Sequence, residues 1–194
     1  MRQAEVSRRT SETDIEVRFC LDGSGDFKGG TGIGFFDHML EAFARHGFFD
    51  LEVKCKGDLE VDGHHTVEDV GLCIGEALDR ALGDRSGIAR FGEAYAPMDE
   101  ALARAVVDIS GRPLLVWGVQ IGREKVGEFE TELAPEFFRA LTSKGNVTVH
   151  IDLLRGENAH HSLEAVFKAF GRALDRATRR EERAQGPPST KGRI

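Results

Sequence analysis

The residues best suited to chemistry come as a matched pair. His64-His65-x-x-Glu68 recurs as His160-His161-x-x-Glu164, and each copy runs on to Ala-Leu-Asp-Arg-Ala, at residues 77–81 and 173–177. Both landmarks are offset by 96 residues, so the chain reads as a duplicated unit with a ligand cluster in each copy. Imidazole and carboxylate without thiolate suit a borderline-hard divalent ion such as Mn, Fe, Co or Zn. Successive helical residues point about 100° apart, so His64 and His65 address two ions, or two sides of a shared site. Glu68 and Glu164 share a helix surface with their neighbouring histidines. A polar helix start is the plain reading of one such tetrad. Two in register with matched flanks favour metal, each ion drawing ligands from both tetrads.

The duplication nominates two more donors. Aligning Gly47 with Gly145, an offset of 98, sets His38 opposite Glu136. The expected set is then His38, His64, His65, Glu68, Glu136, His160, His161 and Glu164. Shared between two octahedral ions, it leaves positions open, as a catalytic site requires. Arg90, Arg112, Lys168 and Lys191 are cations without an obvious helix partner, and Lys168 faces the second tetrad from four residues beyond Glu164. Singly each reads as a surface charge, Lys168 as an ion pair with Glu164. Together they would clamp a phosphate beside the metals.

The elements that must position these groups follow from periodicity. Residues 14–21 alternate, with Ile15, Val17, Phe19 and Leu21 on one face, as a half-buried strand does. A glycine-rich stretch, 22–34, reads as a mobile loop; its GxGxG spacing is not that of a nucleotide loop. Helical spacing covers 35–47, with Gly47 as the stop. Strands are expected at 49–55 and 59–61, then a helix that carries His64 and His65. The second half repeats the order, with strands at 103–109 and 114–121, a helix at 132–145, a strand at 146–154 and a helix after His161. The expectation is an α+β fold of duplicated ββαββα half-domains, with helices on one face of each mixed sheet. The halves are set at 1–92 and 93–184. The remainder, 185–194, has linker composition and by composition alone reads as a free end.

Composition sets bounds on function. The formal charge of −7 argues against a nucleic-acid surface but leaves room for a small anionic substrate. Cys20, Cys55 and Cys73 are scattered, without CxxC spacing, and read as reduced thiols. No apolar run approaches a membrane span, and MRQAEVSRRT has no leader-like stretch, so a cytoplasmic chain is expected.

Five segments, GFFDHML (34–40), DGHHTVEDVG (62–71), ISGRP (109–113), NAHHSLEAVFKAFGRAL (158–174) and PSTKG (188–192), closely resemble the imidazoleglycerol-phosphate dehydratase family. The resemblance spans nearly the whole chain and implies an enzyme of histidine biosynthesis. It implies two Mn²⁺ per active site, other divalent ions being possible. It also implies a duplicated fold like ribosomal protein S5 domain 2, and a hollow homo-24-mer with active sites between subunits. The metal positions carried over are His38, His64, His65, Glu68, His160, His161 and Glu164; the family pattern has a histidine where this chain has Glu136. Substrate contacts are implied at Glu12, His38, His64, Arg90, Arg112, Lys168 and the Thr190-Lys191-Gly192 segment, which would order the tail.

The implied reaction converts a small phosphorylated imidazole, D-erythro-imidazole-glycerol phosphate, to imidazole-acetol phosphate. No carbonyl acidifies the C–H proton that must leave. Ions on both ring nitrogens would acidify the ring N–H, and an imidazolate could expel the hydroxyl through a diazafulvene. An acid and a base must serve the two proton transfers. Glu12 and Glu164 are the candidates, with His65 and His161 also expected to be essential. A dinuclear hydrolase and a metal-locked assembly scaffold are the competing classes.

Overall fold

The computed structural model describes residues 1–184 and 186–192. The first half runs β1 (Gln3–Arg9), β2 (Thr13–Cys20), β3 (Phe27–Gly30), α1 (Gly34–Gly47), β4 (Asp50–Gly57) and α2 (His64–Leu82). The second runs β5 (Phe91–Met98), β6 (Ala101–Asp108), β7 (Leu114–Gly118), a short β8 (Lys125–Val126) and β9 (Phe129–Glu130) hairpin, α3 (Leu133–Gly145), β10 (Thr148–Arg155) and α4 (Ala159–Thr178). The two main sheets have matching strand orders, β1-β2-β4-β3 and β5-β6-β10-β7. In each, the last strand in that order is parallel to its neighbour and the other pairings are antiparallel. This is the expected α+β duplication of mixed sheets with helices on one face.

Alternation explains the layers. On β2, Thr13, Ile15, Val17 and Phe19 are buried while Asp14, Glu16 and Arg18 face solvent. The buried face meets α1 and α2, and the matching face of the second sheet meets α3 and α4. The helices then pack across the halves, α1 on α4 and α2 on α3.

Two glycines make that packing possible and show the duplication in three dimensions. A Cβ on Gly75 would lie 2.3 Å from the Leu141 carbonyl oxygen and 2.9 Å from the Gly145 nitrogen. A Cβ on Gly171 would lie 2.5 Å from the Phe43 carbonyl oxygen and 3.3 Å from the Gly47 nitrogen. The glycines differ by 96 positions and their partners by 98, the two offsets read from the sequence.

Several local expectations are corrected. Apart from the β8–β9 hairpin of the second half, each half runs βββαβα, not ββαββα, because β1, β3 and β5 carry little strand signal and residues 59–61 form a turn instead. Edge strand β1 buries only Val6, so it shows no apolar alternation. On β5 the inward residues are Gly92, Ala94 and Ala96, kept small because α4 comes close: a Cβ on Gly92 would sit 2.0 Å from the Ala173 oxygen. The glycine-rich stretch contains β3, whose Gly29 lies on the Val53 carbonyl, where a Cβ would be 1.9 Å away. Gly47 is not a left-handed stop, and neither is its counterpart Gly145. That conformation falls on Phe48 (φ 56°) and Asn146 (φ 51°), and the glycines serve close helix packing.

Candidate metal centre

Each tetrad opens its helix. Asn158 caps α4, its side chain accepting from the His160 nitrogen at 2.9 Å and the His161 nitrogen at 3.3 Å. At α2 the capping position is Gly63, and Asp62 just before it accepts from the His64 nitrogen at 2.7 Å. A short polar side chain just before a helix satisfies its free N–H groups, so each histidine pair starts from a fixed first turn.

The second tetrad gathers a real donor set. His38 on α1 joins His160 and Glu164 on α4, with one donor atom of each within 4.8 Å of the others. Among the described residues this is the only group of three or more donors so close. Glu164 Oε2 lies 3.4 Å from His38 Nε2 and 3.2 Å from His160 Nε2, and Oε1 takes Lys168 Nζ at 2.5 Å. Burial pushes the Glu164 carboxyl up, but Lys168 and His38 outweigh it and hold the group below its ordinary range. Two imidazoles and an ionised carboxylate, all oxygen and nitrogen donors, fit Mn²⁺ or a similar divalent ion.

The second histidine of each tetrad is bracketed by carboxylates. His161 Nδ1 lies 2.8 Å from Glu100 Oε2, and its Nε2 lies 3.7 Å from Asp99. His65 Nδ1 lies 3.0 Å from Asp58, and its Nε2 lies 3.8 Å from Glu12. The hydrogen bond that His65 donates to Asp58 raises the His65 pKa, and the one that His161 donates to Glu100 raises the His161 pKa. Glu100 is held at about 2, chiefly by the Asn158 backbone N–H and then by His161.

The first tetrad is looser. His64 Nε2 and Glu68 Oε2 are 3.9 Å apart. Among the described residues no hydrogen bond or ion pair joins the two tetrads, and the one close donor group includes no residue of the first. The packing explains this: α2 pairs with α3 and α4 with α1, which sets the tetrads on separate helix pairs. Glu136, the counterpart of His38, lies on α3, which packs on α2, and its carboxylate is turned to Arg139. The helices that carry the eight candidate donors thus fall into two packed pairs.

The cations divide as well. Arg90 donates from Nε to Asp108 Oδ1 at 2.7 Å and from Nη1 to the Pro188 carbonyl at 2.7 Å. Arg112 Nη2 lies 3.8 Å from the same Asp108 carboxylate. The tail is therefore not a free end over its described part. It folds into turns against Arg90, with Thr190, Lys191 and Gly192 exposed and the Lys191 nitrogen bonded to Ser189 Oγ at 3.2 Å. Lys168 pairs with Glu164 instead of joining this group.

Residues 31–174 match the family profile described as imidazoleglycerol-phosphate dehydratase. The chain belongs to the imidazoleglycerol-phosphate dehydratase family. It is 55% identical to the imidazoleglycerol-phosphate dehydratase of Acetivibrio thermocellus, over 100% of this chain and 99% of the relative. It is 58% identical to that of Thermoanaerobacter pseudethanolicus, over 99% of each. Its fold is similar to the crystal structures of the enzymes from Staphylococcus aureus (TM-score 0.83, 42% identity, 92% of this chain and 99% of that one) and Pyrococcus furiosus (TM-score 0.82, 40% identity, 97% and 100%). Members of this family are lyases of histidine biosynthesis, and the chain is an enzyme of that kind. Among the described residues no helix is long and apolar enough to cross a membrane.

Sequence reasoning missed Asp58, Asp99, Glu100 and Asp108. Asp58 lies in a polar turn, and the position 96 residues on is Leu154, so a search for repeats discards it. Glu100 had a usable signal. It immediately precedes β6 as Glu12 immediately precedes β2, but the pairing shows only once β1 and β5 are known to be strands.

Proposed function

We propose that this protein dehydrates D-erythro-imidazole-glycerol phosphate to imidazole-acetol phosphate in the cytoplasm, at a site completed by a second copy of the chain. One copy would contribute His38, His160, His161 and Glu164, and the other His64, His65, Glu68 and Glu136. Two Mn²⁺ per site, or similar divalent ions, would be held there. The main support is the gathering of His38, His160 and Glu164 within 4.8 Å, in a chain of this family whose first tetrad is left open. A closed assembly of many copies, a hollow 24-mer being the form proposed, would bring the half-sites together.

The ions would supply acidity to the substrate ring, stabilising its deprotonated form. The chain's own residues divide the remaining work. Glu164 is tied to Lys168 and two imidazoles, so it suits ligation better than proton transfer. Glu12 stands in the β1–β2 turn, 3.8 Å from His65 Nε2, and is the better proton carrier for the departing hydroxyl or the carbon proton. Arg90 and Arg112, both facing Asp108, would hold the phosphate, with Thr190, Lys191 and Gly192 of the tail closing over it. Lys168 serves the site through Glu164. Fixing the phosphate keeps the imidazole ring in register with the ligands.

The test is a titration of metal-free protein with Mn²⁺, following dehydratase activity and particle size together. Activity should rise only as larger particles form. Turnover by metal-free or monomeric protein would overturn the proposal, and hydrolysis of simple phosphate esters instead would favour the rival hydrolase.

A further inference from the structure

We infer that Asp58 and Glu100 are positioning residues that fix the ring orientation and tautomer of His65 and His161, so that each histidine presents an unprotonated Nε2 to an incoming divalent ion. The inference rests on the ligand reading proposed above and adds to it the residues that make those ligands competent.

The geometry is direct. Asp58 Oδ2 and Oδ1 lie 3.0 Å and 3.2 Å from His65 Nδ1. Glu100 Oε2 lies 2.8 Å from His161 Nδ1. An ionised carboxylate only accepts, so each Nδ1 must carry the proton. In a neutral imidazole the lone pair then falls on Nε2. A carboxylate behind a ligating histidine also fixes its ring plane.

The two carboxylates do not descend from one ancestral position. Asp58 lies in the loop between β4 and α2, and Glu100 in the turn between β5 and β6. By position the counterpart of Glu100 is Glu12, each being the residue before the second strand of its sheet. Glu12 nevertheless faces the other nitrogen of its histidine, 3.8 Å from His65 Nε2. The halves have therefore met one requirement, a carboxylate on Nδ1, from different places in the fold. In the second half the hairpin carboxylate is committed to His161 and to the backbone nitrogens of Glu157 and Asn158, at 3.2 Å and 2.8 Å. In the first half Asp58 takes the orienting task, which leaves Glu12 free on the side where substrate would lie.

Amide variants separate orientation from simple support. Asp58→Asn keeps an oxygen that accepts from Nδ1–H, whereas Asp58→Ala removes it. Glu100→Gln keeps one oxygen for the two backbone nitrogens but turns its NH₂ toward His161. That group donates, so it favours the proton on Nε2, where it blocks the metal. Mn²⁺ binding to metal-free protein, read as free Mn²⁺ by electron paramagnetic resonance, should weaken roughly 10- to 100-fold in Asp58→Ala and in Glu100→Gln, and stay near wild type in Asp58→Asn. Circular dichroism of the metal-free variants should be unchanged. Wild-type Mn²⁺ affinity in Asp58→Ala and Glu100→Gln overturns the orienting role. His65→Ala and His161→Ala are the controls. If they too bind Mn²⁺ as wild type does, the ligand reading itself fails; if they lose binding, only the orienting role is at stake.

Discussion

Lys168 Nζ lies 2.5 Å from Glu164 Oε1, one turn further along α4, and both side chains are largely buried. Removing one partner of a buried pair leaves the other charge uncompensated, at a cost of about 3–5 kcal/mol where burial is complete. Here His38 and His160 share the Glu164 carboxylate, so Lys168→Met should cost about 1–3 kcal/mol. The Glu164 carboxyl titrates below its ordinary 4.5 in the folded protein. Its contribution is therefore full above pH 4.5 and is lost as pH falls through the folded value. Wild type and variant should diverge at neutral pH and converge in acid. Bound Mn²⁺ replaces part of the missing positive charge, so it should raise the melting temperature of Lys168→Met more than that of wild type. Equal shifts in thermal melts would remove Lys168 from the electrostatics of the site.

Gly75→Ala and Gly171→Ala should be equally damaging. Each added methyl would meet a carbonyl oxygen of the facing helix, at 2.3 Å and 2.5 Å, with only backbone available to give way. Overpacking of this kind costs about 1–3 kcal/mol or more. Denaturant midpoints should fall by similar amounts in the two variants. A large difference between them would mean that the two helix crossings do not carry equal load.

These glycines also show what the sequence could and could not reveal. The offsets of 96 and 98 located the duplication, the four helices and every histidine used here, because descent leaves matching landmarks at matching spacing. The fold class and the strands with large inward residues, such as β2 and β10, were legible for the same reason that they are stable: period-two alternation of large apolar side chains. β5 was not legible, since an inward face of Gly92, Ala94 and Ala96 carries no hydrophobic signal even though it is fully covered. Asp58 and Asp108 were not legible either. Each acts by holding another side chain, and the partner becomes visible only when the chain is folded.

Asp108→Ala should act on substrate binding more than on chemistry. Its carboxylate accepts from Arg90 at 2.7 Å and 3.3 Å and faces Arg112 at 3.8 Å, so its loss frees both guanidinium groups. Arg90 also holds the Pro188 carbonyl, and the tail should loosen with it. The proposed phosphate clamp then predicts a KM raised about tenfold with a smaller fall in kcat, the pattern of lost binding shared by ground and transition state. Lys191→Ala should show the same pattern more weakly. Steady-state kinetics with an unchanged KM in both variants would place the phosphate elsewhere.

The separation of the two tetrads makes its own prediction about subunit cooperation. His65→Ala damages only the first tetrad and Glu164→Gln only the second, so each variant assembled alone should be inactive. In a mixed assembly, some sites draw the first tetrad from a Glu164→Gln copy and the second from a His65→Ala copy. Those sites have a full set of intact ligands. If copies mix at random in equal amounts, about a quarter of sites should be of this kind, and activity should recover to that level. The variants should be dissociated by chelation, mixed and reassembled with Mn²⁺, then assayed against each variant treated alone. Recovery means that His65 and Glu164 of one working site come from different chains, as the proposed site requires. No recovery from particles shown to contain both variants would mean that a single chain supplies both tetrads to a site. Among the described residues no hydrogen bond, ion pair or close donor group joins the two tetrads, which argues against that outcome.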